Sequence, residues 1–106
     1  MVKIIACKTT EILSGQMKKI TVAGKEIIIS NVDGNYFAID DTCTHSGASL
    51  SEGKLDGQIV TCDWHGAKFD CKNGKLVKFP GEIMDLKSYK IVIESENIFV
   101  DIQALN

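Results

Sequence analysis

Two short boxes constrain this chain more than anything else in it: Cys43-Thr44-His45 and Cys62-Asp63-Trp64-His65, with sixteen residues between His45 and Cys62. They hold both of its histidines and two of its four cysteines. Each box puts a thiolate and an imidazole within one turn of chain, in the repeated order Cys, His. Such a set suits two irons bridged by two sulfides. Each iron needs two further ligands to be tetrahedral. With both Cys on one iron and both His on the other, each box spans the pair. Neutral imidazoles in place of two thiolates leave the centre less negative, so it accepts an electron more readily. Two Fe(III), two sulfides, two thiolates and two neutral imidazoles sum to zero, so the chain would keep its formal charge of −2 when oxidised and reach −3 on taking one electron. On the residues alone, two other readings stay open. One is a Cys₂His₂ zinc site, although zinc pairs usually separate their ligands by roughly two to five residues, which Cys-x-His fits poorly. The other is chance placement of buried Cys and core His.

The rest of the chain has to build a platform for these boxes. Its 106 residues suit one domain, 1–106, and 44% hydrophobic with 25% charged residues is an ordinary globular balance. No apolar run approaches the ~20 residues of a membrane span. The start, Met1-Val2-Lys3-Ile4-Ile5-Ala6-Cys7, is too short and too polar beyond Cys7 for a secretory signal, so a cytoplasmic protein is expected. The basic residues are all Lys, spread along a chain of charge −2. That argues against a nucleic-acid partner, and the lack of Arg removes bidentate phosphate recognition. Small size and modest charge suggest a monomer.

Apolar patterning favours strands. Lys25–Ser30, Tyr36–Ile39, Tyr89–Ile93 and Ile98–Ile102 are short and rich in β-branched and aromatic residues. Turn signals separate them at Ala23-Gly24, Asp33-Gly34-Asn35, Asn73-Gly74 and Glu96-Asn97. Thr10–Ser14 reads as a short helical turn. From Asp40 to Gly57 the composition shifts to Ser, Thr, Gly and Asp, which reads as ordered loop of functional character. The expected class is all-β: a platform of strands from both ends of the chain, with a loop-built part, about 41–81, inserted between them.

The boxes resemble the signature of the Rieske family, Cys-x-His followed by Cys-x-x-His. The likeness extends past the ligands. Cys43-Thr44-His45-Ser46-Gly47-Ala48-Ser49-Leu50-Ser51-Glu52-Gly53 is similar to the first cluster loop of small Rieske ferredoxins. Cys62–Asp70 followed by Asn73-Gly74-Lys75 is similar to the second loop and its hairpin, and Phe79-Pro80-Gly81 stands where the family has a proline loop covering the cluster. The resemblance implies the Rieske iron–sulfur fold, antiparallel β-sheets with the cluster at one tip. It also implies one [2Fe–2S] cluster per chain on Cys43, His45, Cys62 and His65, with the two His facing solvent as the electron gateway and Ser46, Trp64, Gly66 and Pro80 around them.

The departures matter as much. Respiratory-chain Rieske proteins join their two loops by a disulfide, where this chain has Ala48 and Trp64. They also carry a Ser and a Tyr that donate hydrogen bonds near the cluster sulfurs, where this chain has Ala67 and Phe69. Fewer donors mean a less stabilised reduced state, so a potential near the low end of the Rieske range is expected, about −150 mV. Asp63 reads as a local structural residue. Cys7 and Cys71 read as small core hydrophobes, and a disulfide between them is disfavoured in a reducing compartment. Trp64, where exposed, offers an apolar anchor to a partner. Asp40-Asp41 read as a solvated loop edge.

The function implied is that of a ferredoxin rather than an enzyme: electrons come from a flavin-dependent, NAD(P)H-linked reductase and go to an oxygenase or other acceptor. A small Rieske subunit of a larger oxidoreductase, such as a nitrite reductase, is the alternative, and a zinc-binding interaction module a more distant one. A terminal oxygenase needs a second iron held by two His and a carboxylate, and no His remains once the boxes are filled.

Overall fold

The computed structural model describes residues 3–42, 49–62, 66–78 and 85–101. Among the described residues ten strands carry the architecture: β1 Lys3–Lys8, β2 Met17–Val22, β3 Lys25–Val32, β4 Asn35–Asp40, β5 Lys54–Asp56, β6 Ile59–Thr61, β7 Lys68–Asp70, β8 Leu76–Lys78, β9 Ser88–Glu94 and β10 Asn97–Asp101. They form two antiparallel sheets. One has six strands in the order β1-β10-β9-β4-β3-β2, drawn from both ends of the chain, and the other has four in the order β5-β6-β7-β8. The protein is thus all-β, as expected. Among the described residues no helix is long and apolar enough to cross a membrane.

Turn chemistry fixes the large sheet's register. Ala23 and Gly24 (φ 51° and 79°) and Asp33 and Gly34 (φ 53° and 89°) each place two successive residues at positive φ. That geometry matches the twist of a two-residue hairpin. Asn31 secures the second hairpin, its Oδ1 accepting from the Gly34 amide at 2.8 Å. Its Nδ2 donates to the Ile12 carbonyl at 2.9 Å, fastening the segment before β2 onto the sheet.

The continuous run Ile27-Ile28-Ile29 in β3 has a simple cause. Alternate side chains of a strand face opposite ways, and here both faces are covered. Ile27 and Ile29 join Cys7, Ile12, Val22, Ala38, Tyr89, Ile98 and Val100 in a core on one side. Ile28 joins Ile39, Leu50, Val60, Cys62, Ala67, Phe69, Cys71 and Leu86 on the other. Each fully buried Ile contributes about 1.5–3 kcal/mol by removal from water. The second core clamps the small sheet onto the large one.

Several expectations needed correction. The last hairpin turns at Ser95-Glu96, one residue earlier than read, with Ser95 at φ 56°. Asn73-Gly74 does not form a two-residue turn. The Asp70 amide donates to Lys75 O at 2.9 Å across a four-residue loop, and the Gly74 carbonyl is taken by the Leu86 amide at 2.7 Å. The stretch 40–57 is not all loop, since it holds a 3₁₀ turn at Leu50–Glu52 and β5. The short helical turn is a 3₁₀ turn at Thr9–Glu11. Cys7 and Cys71 are both buried, in separate cores, and both are thiols, so no disulfide joins them.

Candidate metal centre

Of the four expected ligands, Cys62 lies within the described residues; Cys43, His45 and His65 lie outside them, as do Ser46, Ala48, Asp63, Trp64 and Phe79–Gly81. What the structure describes is the masonry from which these segments spring, and it is specific.

Cys62 follows β6 directly and is 1% exposed, packed among Leu50, Val60, Ala67 and Phe69. Its amide donates to Ala67 O at 2.7 Å, and its carbonyl accepts from the Gly66 amide at 3.1 Å. The chain therefore reverses direction between 62 and 67, and Gly66 takes the positive φ (71°) that the reversal demands. Residues 43–48 are bracketed in the same way. Thr42 bridges Ser49, and the Leu50 amide donates to Asp41 O at 2.7 Å. A third bracket closes 79–84, where the Leu86 amide donates to Gly74 O at 2.7 Å and Asp85 Oδ1 accepts from the Leu76 amide at 2.8 Å.

Two glycines bring these brackets together. A Cβ on Gly53 would fall 1.9 Å from the carbonyl oxygen of Thr61, the residue before Cys62. A Cβ on Gly74 would fall 2.2 Å from the carbonyl oxygen of Leu86. Only glycine admits backbone this close. Leu50, Cys62, Ala67 and Leu86, one residue or more from each bracket, then share a single core. The second core thus carries the stems of all three segments. Ala67 and Phe69 are fully buried beside Cys62, so their lack of hydroxyls is a property of the site's immediate surroundings.

One expectation is overturned outright. Asp41 is not a solvated loop edge but is 1% exposed. Its Oδ2 accepts from Ser49 Oγ at 2.6 Å and its Oδ1 from the Ser51 amide at 3.0 Å. Asp40 is bound too, accepting from the Tyr89 hydroxyl at 2.5 Å. Burial, followed by the hydrogen bond to Asp40, raises the Tyr89 pKa, so the phenol stays a donor. Asp41, Ser49, Ser51 and Gly53 escaped the reading of the sequence, where a charged pair and small polar residues resemble any loop.

The surroundings fit an iron–sulfur cluster. Cys62 offers sulfur from a dry, apolar seat, and every stem converges there. Among the described residues no group of three or more His, Cys, Asp or Glu is arranged to hold a metal ion. An open hollow of about 480 Å³ lies elsewhere, lined by Tyr36, Phe37, Lys72 and Ser88 to Ile91, and contains none of the stem residues.

Fold and stems together define a small all-β protein whose three stems rise from one core around Cys62. Comparison with known proteins sharpens that class. The model of the Rieske [2Fe–2S] domain matches residues 2–90, and the chain belongs to this family. It is 42% identical over 97 residues to the biphenyl dioxygenase ferredoxin subunit of Pseudomonas sp. strain KKS102, covering 91% of this chain and 88% of that one. It is 39% identical over 100 residues to the ferredoxin component of the p-cumate 2,3-dioxygenase system of Pseudomonas putida, covering 92% and 84%. Its fold matches a chain in the complex of reduced oxygenase and oxidized ferredoxin of carbazole 1,9a-dioxygenase with a TM-score of 0.86 at 27% identity, covering 93% and 92%. The protein is accordingly an electron-transfer protein carrying one [2Fe–2S] cluster, not itself a catalyst.

Proposed function

We propose that Cys43, His45, Cys62 and His65 hold the cluster, and that the chain carries single electrons from a flavin-dependent reductase to an oxygenase. When bound, the cluster takes up one electron and gives it back. The chain's own residues do the rest. Cys62 supplies sulfur from a buried seat, the three brackets fix the ligand segments, and Ala67 and Phe69 withhold hydrogen bonds that would favour the reduced state. The observation that carries this reading is the convergence of all three stems on the core around Cys62. The oxygenase as acceptor is supported by relatives named as ferredoxin components of dioxygenase systems and by the ferredoxin–oxygenase complex that the fold matches. We take the whole chain, 1–106, as one Rieske unit with its cluster-binding part at about 41–81, acting as a cytoplasmic monomer.

The test is direct. Reduced protein should give the EPR signal of a [2Fe–2S] centre with two non-cysteine ligands. His45→Ala and His65→Ala should abolish it, whereas a colourless, zinc-loaded protein would overturn the ligand assignment. A reductase that reduces the purified chain in stopped flow would support the donor. Co-purification from native cells as a tight subunit of one large flavin- or haem-bearing chain would overturn the picture of a free carrier.

A further inference from the structure

We propose that Asp41 is a positioning residue for the first ligand loop, its carboxylate tying the far end of that loop to the end of β4. This rests on the ligand assignment above. Thr42 and Ser49, which flank residues 43–48, pair with each other in an isolated antiparallel bridge. Residue 41 is used at almost every point of the closure. Its carbonyl accepts from the Leu50 amide at 2.7 Å, Oδ2 from Ser49 Oγ at 2.6 Å and Oδ1 from the Ser51 amide at 3.0 Å, while its own amide donates to Glu26 O on β3 at 3.1 Å.

The arrangement at the 3₁₀ turn Leu50–Glu52 is telling. Ser49 sits at its N-cap yet does not cap it. A serine there usually accepts from an amide of the first turn. Here the Ser49 hydroxyl is turned to Asp41, 2.8 Å from Ser51 Oγ, and Asp41 supplies the acceptor that the turn needs. Capping has been handed to a residue on the other side of the loop, so the turn and the closure form together.

Burying a carboxylate is costly unless hydrogen bonds and charge offset it. The nearest described cation, Lys19 Nζ, stands 4.0 Å from Oδ2 and pairs with Glu26 at 2.7 Å. The carboxylate is held mainly by its hydrogen bonds, and their common product is the position of the loop ends. Asp41 stands two residues before Cys43, a span of at most about 7 Å of chain. The bonds made by Asp41 thus constrain the chain just before that proposed ligand, and its carboxylate belongs to the same short span.

Three variants of the reconstituted holoprotein test this. Asp41→Asn keeps an acceptor for the Ser51 amide and a donor for Ser49, but removes the charge. It should retain iron at close to the native rate and shift the reduction potential upward. Asp41→Ala removes both side-chain bonds and should release iron to a chelator about ten- to a hundredfold faster, the usual cost of losing an outer-shell partner. Should Asp41→Ala fail to fold, Ser49→Ala carries the test: it removes the 2.6 Å bond to Asp41 and the 2.8 Å bond to Ser51 Oγ, leaves the Asp41 carboxylate on the Ser51 amide, and should release iron faster than native. Native release from either alanine variant overturns the proposal. So does equal loss in Asp41→Asn and Asp41→Ala, or an unmoved potential in Asp41→Asn. A native chain with no [2Fe–2S] EPR signal would instead sink the ligand assignment.

Discussion

Ala67 and Phe69 give the most direct test of how this chain sets its potential. Both are fully buried and share the core of Cys62. Lys68 between them is only half-buried, so the two turn inward from either side of it. Ala67→Ser with Phe69→Tyr adds two hydroxyls and little else, because the ring is kept and one atom is added at residue 67. In the apo chain those hydroxyls enter an apolar core, where an unpartnered one costs about 1–3 kcal/mol. In the holoprotein, on the ligand assignment proposed above, these hydroxyls would stand at the positions where respiratory-chain Rieske proteins carry their Ser and Tyr donors to the cluster sulfurs. Sulfur gains negative charge on reduction, so each bond tightens in the reduced state. A preference of about 1.4 kcal/mol per hydroxyl corresponds to about 59 mV for a one-electron couple. The double variant should therefore sit on the order of 100 mV above a native value of about −150 mV. Protein-film voltammetry on both proteins reads this directly. A fully loaded double variant that shifts by less than about 20 mV would refute the hydrogen-bond account. A native potential above about +100 mV would refute its starting point. The single variants complete a cycle, and as neighbours in one core they are expected to couple.

Gly53→Ala should drive the backbone off Thr61, since the new Cβ would lie 1.9 Å from its carbonyl oxygen; iron content per purified chain should fall and stability drop by about 1–3 kcal/mol in urea melts. Tyr89→Phe deletes the bond to Asp40 and should cost about 1.5–3 kcal/mol in urea denaturation, the range for bonds to charged groups. Burial, reinforced by the Asp70 charge, pushes Cys71 up from 9.0 to about 11, so the folded thiol holds its proton where the unfolded one has lost it. Stability from this source is complete below pH 9.0 and drains away as pH rises to about 11. The slope is up to about 1.4 kcal/mol per pH unit, and Cys71→Ala should flatten it in melts across that window.

Chemistry that depends on residue type and spacing was legible before any fold was known. The family was legible in the two Cys–His boxes, because residue type and spacing lie in the chain itself, and the Rieske model over residues 2–90 agrees. The hairpins at Ala23-Gly24 and Asp33-Gly34 were legible for the same reason, as positive φ has a residue signature. The small sheet was not. Its strands β5 to β8 are three residues each, too short for a period of two to show, and Lys68-Phe69-Asp70 reads first as the tail of a ligand box. Gly53 and Gly74 were equally hidden, because what they meet, Thr61 O of β6 and Leu86 O of the segment before β9, is distant in the sequence. Asp41 was misread for a sharper reason. A carboxylate is assumed solvated unless partners are visible, and its partners Ser49 and Ser51 lie across a loop whose closure the carboxylate itself helps to make.

The two aspartates at the end of β4 follow from the pleat. Successive residues of an extended chain point to opposite sides. Asp40 goes to Tyr89 of the platform and Asp41 to Ser49 and Ser51 at the far end of the first ligand loop. One dipeptide thus couples the sheet to the loop end next to the proposed ligands Cys43 and His45, and the two halves of the coupling are separable by experiment. Removing the Tyr89 hydroxyl loosens the platform without touching a loop stem, so it should appear in the unfolding free energy and leave the potential alone. Removing the Asp41 charge keeps the hydrogen-bond pattern, so it should appear in the potential and leave the unfolding free energy nearly alone. Were both variants to move both quantities in proportion, β4 would be acting as one mechanical unit. The pleat would then have no part in dividing support of the fold from support of the site.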